Sequence, residues 1–145
     1  MHFLISLLFF GMFVGYSPAV GAQAAEDREA IQAIMDQQTR CWNAGDLVCF
    51  MEGYWHADSL MFIGKTGITY GFDNTLTRYQ DTYPDRANMG KLRFEVVSLD
   101  SLSPDACLMV GKWFLTRSVG DINGHFTLLF RKIDEQWCIV KDHSS

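Results

Sequence analysis

Apolar and polar positions follow a mainly helical spacing in the first part of this chain and a strand period from Lys91 onward. From Glu26 to Ala44, Ile31, Ile34, Met35, Gln38 and Trp42 recur at three- and four-residue spacings, which predicts a helix with one mostly apolar stripe. Asp27 and Glu29 crowd its start, where acids favour the helix dipole, and Gly45 ends it. Asp46 is placed to cap a second, short helix, "DLVCFMEGYW", whose Leu47, Phe50, Met51 and Tyr54 again follow helical spacing. So short a turn folds the two helices back on each other. "SLMFIGKTG" and "ITYG" read as short strands around a glycine turn. "NTLTRYQDTYP" reads as a third helix, with Leu76, Tyr79 and Tyr83 on one side and Pro84 closing it.

From Lys91 onward the pattern becomes that of strands. "KLRFEVVSLDSL", "ACLMVGKWFLTRSV", "HFTLLFRKID" and "WCIVKDHS" are separated by "SPD", "GDING" and "DEQ", all turn chemistry. Connections this short join antiparallel neighbours. Helices followed by a meander of long strands predict an α+β architecture. In the second run Trp113, Leu115 and Arg117 alternate with Lys112, Phe114 and Thr116, so both faces carry apolar groups. Helices can cover one face. Phe114 and its neighbours on the other suggest a partner subunit.

The first residues stand apart. "MHFLISLLFFGMFVGYSPAVGAQAAED" has an apolar run from Phe3 to Val14, then Pro18 and the small-residue pattern Ala22-Gln23-Ala24. The run is too short to span the ~30 Å hydrocarbon of a bilayer as a helix. It has the shape of a secretory signal peptide, residues 1–24, cleaved after Ala22 or Ala24; the alternative is an uncleaved anchor. Cleavage predicts a secreted or periplasmic domain, residues 25–145, with no stable membrane anchoring. About 120 residues suit one core.

The net charge of −5 comes from scattered acids and bases, with no basic patch to neutralise phosphates, so nucleic acid is not an expected partner. The aromatic fraction, 14%, is high and requires somewhere to bury those rings. Cys41, Cys49, Cys107 and Cys138 admit three disulfide connectivities, or four free buried thiols. Cys41 and Cys49, flanking a turn, are the first pair to test.

"CWNAGDLVCFMEGYWHADSLMFIGKTGITYG", "GKWFLTR" and "GHFTLLFRKIDEQWCIVKDHSS" resemble the nuclear transport factor 2-like superfamily, and within it the SnoaL-like domains of unknown function, over nearly all of residues 25–145. The resemblance implies a conical curved antiparallel sheet wrapped around three N-terminal helices, open at one end, and often a homodimer packed through the sheet. Steroid isomerases, dehydratases, polyketide cyclases and plain binding proteins share such a fold, so fold alone does not give function. The ketosteroid isomerase residues carry over poorly. The position of their carboxylate base falls at Ile63, that of their oxyanion tyrosine near Gln38, and that of their protonated acid near Leu129. That constellation is absent, and with it that route of proton abstraction.

Strand alternation puts His143 on one face with Trp137, Ile139 and Lys141, and Asp142 on the other with Cys138 and Val140. If Trp137 and Ile139 face inward, His143 reaches the mouth of the cone as an acid, base or hydrogen-bond donor, and Asp142 points away. Arg117, following Trp113 and Leu115, is the second candidate, as a clamp for a carboxylate or phosphate. Trp42, Tyr54, Trp55, Tyr79, Tyr83, Trp113 and Phe126 are the candidate walls for a small apolar or ring-bearing ligand. His56 and Asp58 lie close in sequence, but His125 in a turn does not complete a metal set, and neither metal nor cofactor is expected. Three functions stay open: an exported small-molecule-binding domain, an isomerase, dehydratase or hydrolase using His143, and a non-catalytic structural dimer subunit.

Overall fold

The computed structural model describes residues 18–145. The Phe3–Val14 run therefore lies outside the described residues. Helix α1 spans Pro18–Ala44 and α2 Leu47–Met51. Strands β1 (Met61–Gly64) and β2 (Gly67–Tyr70) form a hairpin, followed by α3 (Phe72–Thr82) and α4 (Arg86–Met89). The long strands are β3 (Lys91–Ser103), β4 (Ala106–Thr116), β5 (Ile122–Ile133) and β6 (Gln136–Ser144).

Two helix boundaries differ from the sequence reading. α1 starts at Pro18 instead of Glu26, although Gly21 to Glu26 are exposed. Its alanine-rich sequence favours helix without packing, and proline is tolerated in a first turn. α4 was not expected. Asp85 caps it by accepting from Asn88 N at 2.8 Å, which a four-residue element barely signals in sequence. Asp46 caps α2 as expected, accepting from Cys49 N at 2.9 Å.

The sheet runs β2-β1-β6-β5-β4-β3. Its one parallel pair is β1 with β6; the rest are antiparallel. The sheet curves over the helices but does not close, so β2 and β3 are its edges among the described residues. Two register shifts bend β3, at Val97 and Leu102, and one bends β6. Gly111 helps the curvature, because a Cβ there would collide with the Phe126 ring and Glu95 O.

Helix α1 crosses the concave face and is held at both ends. Near its start, Asp27 accepts from Lys132 Nζ at 2.5 Å and from Trp137 Nε1 at 3.0 Å. Partial burial opposes ionisation of Asp27, but those donors and Gln23 outweigh it and hold the carboxyl below its usual range. At its end, Arg86 donates to Trp42 O (2.9 Å) and Asn43 O (3.0 Å), satisfying carbonyls the helix leaves open. Asn43 pairs twice with the Leu92 backbone, accepting from its N–H at 2.7 Å and donating to its carbonyl at 3.1 Å. Between these anchors Ile31, Met35, Gln38, Cys41 and Trp42 are buried against Met109, Phe130 and Ile139 of the sheet core.

Cys41 and Cys49 are disulfide-bonded, joining α1 to α2 across Cα atoms 5.5 Å apart; Cys107 and Cys138 are free. Closing so short a loop stabilises the fold by about 2–3 kcal/mol in the chain-entropy model. Denatured, unreduced protein should therefore show two reactive thiols and reduced protein four. The C41S/C49S variant should unfold at lower urea by about that free energy. Four reactive thiols before reduction would contradict the pairing.

Candidate functional site

Between α1, α3 and the concave sheet lies a hollow of ≈ 780 Å³. Its inner wall is a continuous stack of rings. Trp42 meets Phe50 (5.2 Å) and Tyr83 (4.8 Å) edge to face, and Tyr79 meets Phe50 (5.2 Å) and Phe62 (5.5 Å) in the same way. Phe94 and Phe126 continue the wall on the sheet side, 5.4 Å apart. Edge-to-face packing fixes each ring by its neighbours, so the wall is stiff.

Six of the seven expected wall residues line this hollow: Trp42, Tyr54, Tyr79, Tyr83, Trp113 and Phe126. Trp55 does not. The 53–55 segment pairs with β6 through Trp55 N to Ile139 O and Ile139 N to Gly53 O, both 2.9 Å. On such an extended segment alternate side chains face opposite ways, so Tyr54 points in and Trp55 out.

The expected orientation of the closing strand is reversed at its end. Leu129 pairs with Lys141 but Phe130 with Ile139, so Val140 is an extra residue without a partner. That bulge changes the alternation by one position. Trp137 and Ile139 face inward as expected, yet beyond Val140 it is Asp142 that is buried and His143 that is exposed. His143 does not line the hollow. Arg117 does not line it either. Its Nε donates to Gly120 O at 2.7 Å and its Nη1 to Asn88 O at 3.4 Å, so it is tied to the β4–β5 turn. His56 stacks on Phe72 with centroids 4.0 Å apart, and among the described residues no three metal-ligating side chains converge.

Asp142 is 3% exposed and sits on the floor of the hollow beside Phe62, its partner on β1. Tyr54 Oη donates to its Oδ2 at 2.7 Å and Ser144 Oγ to its Oδ1 at 2.7 Å. Tyr54 Oη and Tyr79 Oη are 3.2 Å apart; with the Tyr54 proton committed to Asp142, Tyr79 is the donor of that bond. Tyr79 thus extends the chain from acid to cavity wall. Burial raises the Asp142 carboxyl to about 6, with the bonds from Tyr54 and Ser144 and the nearby His143 pulling it partway back. Burial, and then the neighbouring Asp142, push both phenols well above their ordinary range, so they remain donors. On the sheet side of the wall, Trp113 Nε1 is buried with no partner among the described residues. The arrangement offers a stiff apolar slot, one buried acid with a phenol relay, and an unspent indole donor.

No family model and no curated protein matches the chain. Solved structures do. A domain of unknown function with a cystatin-like fold from Nostoc punctiforme PCC 73102 matches at TM-score 0.71 and 19% identity, over 83% of this chain and 76% of that one. The hexachlorocyclohexane dehydrochlorinase LinA-type3 from Novosphingobium barchaimii LL02 matches at TM-score 0.72 and 16% identity, over 86% and 89% of the two chains. At such identities these two matches speak to fold alone. An NTF-2 like protein of unknown function from Shewanella oneidensis MR-1 is much more similar, at TM-score 0.78 and 39% identity over 82% of this chain and 98% of that one. That identity, spanning almost the whole of the Shewanella protein and joined to the same helices-then-curved-sheet architecture, makes this chain a member of the nuclear transport factor 2-like family.

Proposed function

We propose that the domain binds a small, largely apolar, ring-bearing molecule in the aromatic hollow, with Asp142 and its phenol relay as the polar contact. The observation that carries this reading is an acid kept at a cost. A carboxyl in a ring-walled cavity, with no ion-pair partner among the described residues, destabilises the fold whenever it ionises. Structural need does not explain it, since an amide would accept the same Tyr54 bond. Groups held in a perturbed state inside a cleft are candidates for function. A hollow of ≈ 780 Å³ is also the size of small-molecule sites.

The cost has a defined pH dependence. Below about pH 3 the carboxyl is protonated in folded and unfolded chains alike and costs nothing. Because its folded value, about 6, lies above the unfolded one, stability falls as pH rises through that window. D142N should therefore be more stable than the parent at pH 8 by about 2–3 kcal/mol, with the advantage vanishing near pH 3, as measured by urea unfolding across pH.

Mass spectrometry of small molecules that co-purify with the protein tests the function directly. The parent should carry a ring-bearing compound, and D142N should carry it at least roughly tenfold more weakly. Equal retention by D142N would remove Asp142 from the binding role. An empty protein that takes up no ring-bearing compound would overturn the binding reading.

A second reading, acid–base turnover, rests on the same side chain in place of His143. A carboxyl titrating near neutrality can take and return a proton at working pH. Such turnover would show an inflection near pH 6 that D142N abolishes. Export is part of the proposal, supported by the apolar N-terminal run and by the Cys41–Cys49 bond, which persists in oxidising compartments. So is a homodimer through the convex sheet face. Val97 and Leu102 stand exposed on edge strand β3, and Phe114 on the convex face is covered by the Arg93 guanidinium, 4.0 Å from its ring.

A further inference from the structure

The mouth of the hollow holds an arginine with unused capacity. Arg78 stands on α3, half-buried in the cavity wall. Its guanidinium lies over Phe62, Cζ 4.9 Å from the ring centroid, at the outer end of the aromatic stack. Its side-chain bond to Thr69 Oγ1 is long, at 3.3 Å. Among the described residues no carboxylate comes within ion-pair distance of it. A guanidinium has five N–H donors, so most of these are open.

The backbone opposite is shaped to this side chain. A Cβ on Gly64 would fall 2.5 Å from Arg78 Nη2 and 2.8 Å from Phe62 Cε1. Only a residue without a side chain leaves the slot that the guanidinium occupies. Lys65, next in the chain, lines the same mouth. An arginine stacked on an aromatic face, with its fork free, is suited to a planar oxyanion.

The polar inventory of the cavity agrees. Asp142 has a donor on each oxygen already. Trp113 Nε1, by contrast, is buried without an acceptor. Asp81 also lines the mouth but is exposed to water. Arg78 and Trp113 thus leave unspent donors on the wall, and a ligand that satisfies them brings acceptors to those two points.

We propose that the ligand is an organic anion: a ring-bearing body seated in the hollow, an oxyanion such as a carboxylate docked on Arg78, and an acceptor oxygen at Trp113 Nε1. This rests on reading the hollow as a binding site. The registered positions give the span of the hollow along the sheet between the buried acid and the indole. Asp142 pairs with Leu128 and Trp113 with Gly124, four residues apart on β5, about 13 Å along the strand. That separation suits a molecule of two or three rings.

Two dyes separate this proposal from the reading beneath it. Anilinonaphthalene sulfonate is an aromatic oxyanion, and N-phenylnaphthylamine is a similar body without the charge. Both should bind the parent protein, the anion more tightly by roughly tenfold or more. R78Q should erase that margin and leave the neutral dye unchanged, R78K should keep part of it, and added salt should weaken only the anion. Neutral-dye binding reports that the variant is folded; if R78Q does not fold, R78K and the salt series give the same readout. Equal affinities in the parent, a margin that survives R78Q, or tighter binding of a cationic dye would overturn the anion proposal while leaving the binding site in place. Failure of both dyes to bind would overturn the site itself and the anion with it.

Discussion

One extra residue in the last strand decides what this cavity contains. Were β6 regular, its terminal histidine would turn inward and its aspartate outward. Val140 inserts between the pairs Leu129–Lys141 and Phe130–Ile139, and everything beyond it changes face. Asp142 then meets Tyr54 and Ser144 in a dry, ring-walled space, and His143 meets solvent. Bulges re-aim side chains where strands end beside functional sites, and this one is the link between strand geometry and cavity chemistry. Without it the hollow would have aromatic walls and no buried acid.

The remaining structure keeps that hollow open and shaped. α1 is fastened to the sheet by Asp27 at one end and by Arg86 and Asn43 at the other, so the helix bridges the concave face as a beam. The disulfide sets α2 against it and fixes where Phe50 and Tyr54 point. Rings packed edge to face leave each other little freedom, which preserves a space that flexible aliphatic side chains would fill. The half-buried and buried polar groups are then separate in role. Asp142 is held in place by one hydroxyl on each oxygen, whereas Arg78 and Trp113 keep donors in reserve along the cavity wall.

Much of this was legible in the chain. The change of hydrophobic period at Lys91, the Gly45-Asp46 turn and the turn chemistry between the long strands fix the element order and the antiparallel meander. Aromatic residues on predicted inner faces identify most of the wall, because rings on a concave face have nowhere else to go. Trp55 was misplaced because "GYW" continues a helical spacing, while the structure pairs that segment with β6. The acid was misplaced for a sharper reason. Alternation along "WCIVKDH" gives no place for a bulge unless the adjacent Ile139 and Val140, both apolar and both buried, are taken as its sign. Arg78 is invisible to local patterns, since its partners Phe62, Gly64 and Thr69 come from a hairpin that the fold, not the sequence, sets beside α3.

The most direct measurement is a carbon-13 titration of the aspartate side-chain carboxyls, followed residue by residue by nuclear magnetic resonance. An inward, enclosed Asp142 should titrate at about 6, apart from the other aspartates. It should move higher still in Y54F, because the lost phenol bond favours the charged form. An Asp142 signal titrating with the exposed carboxylates near pH 4, indifferent to Tyr54, would place the side chain in water and contradict the account.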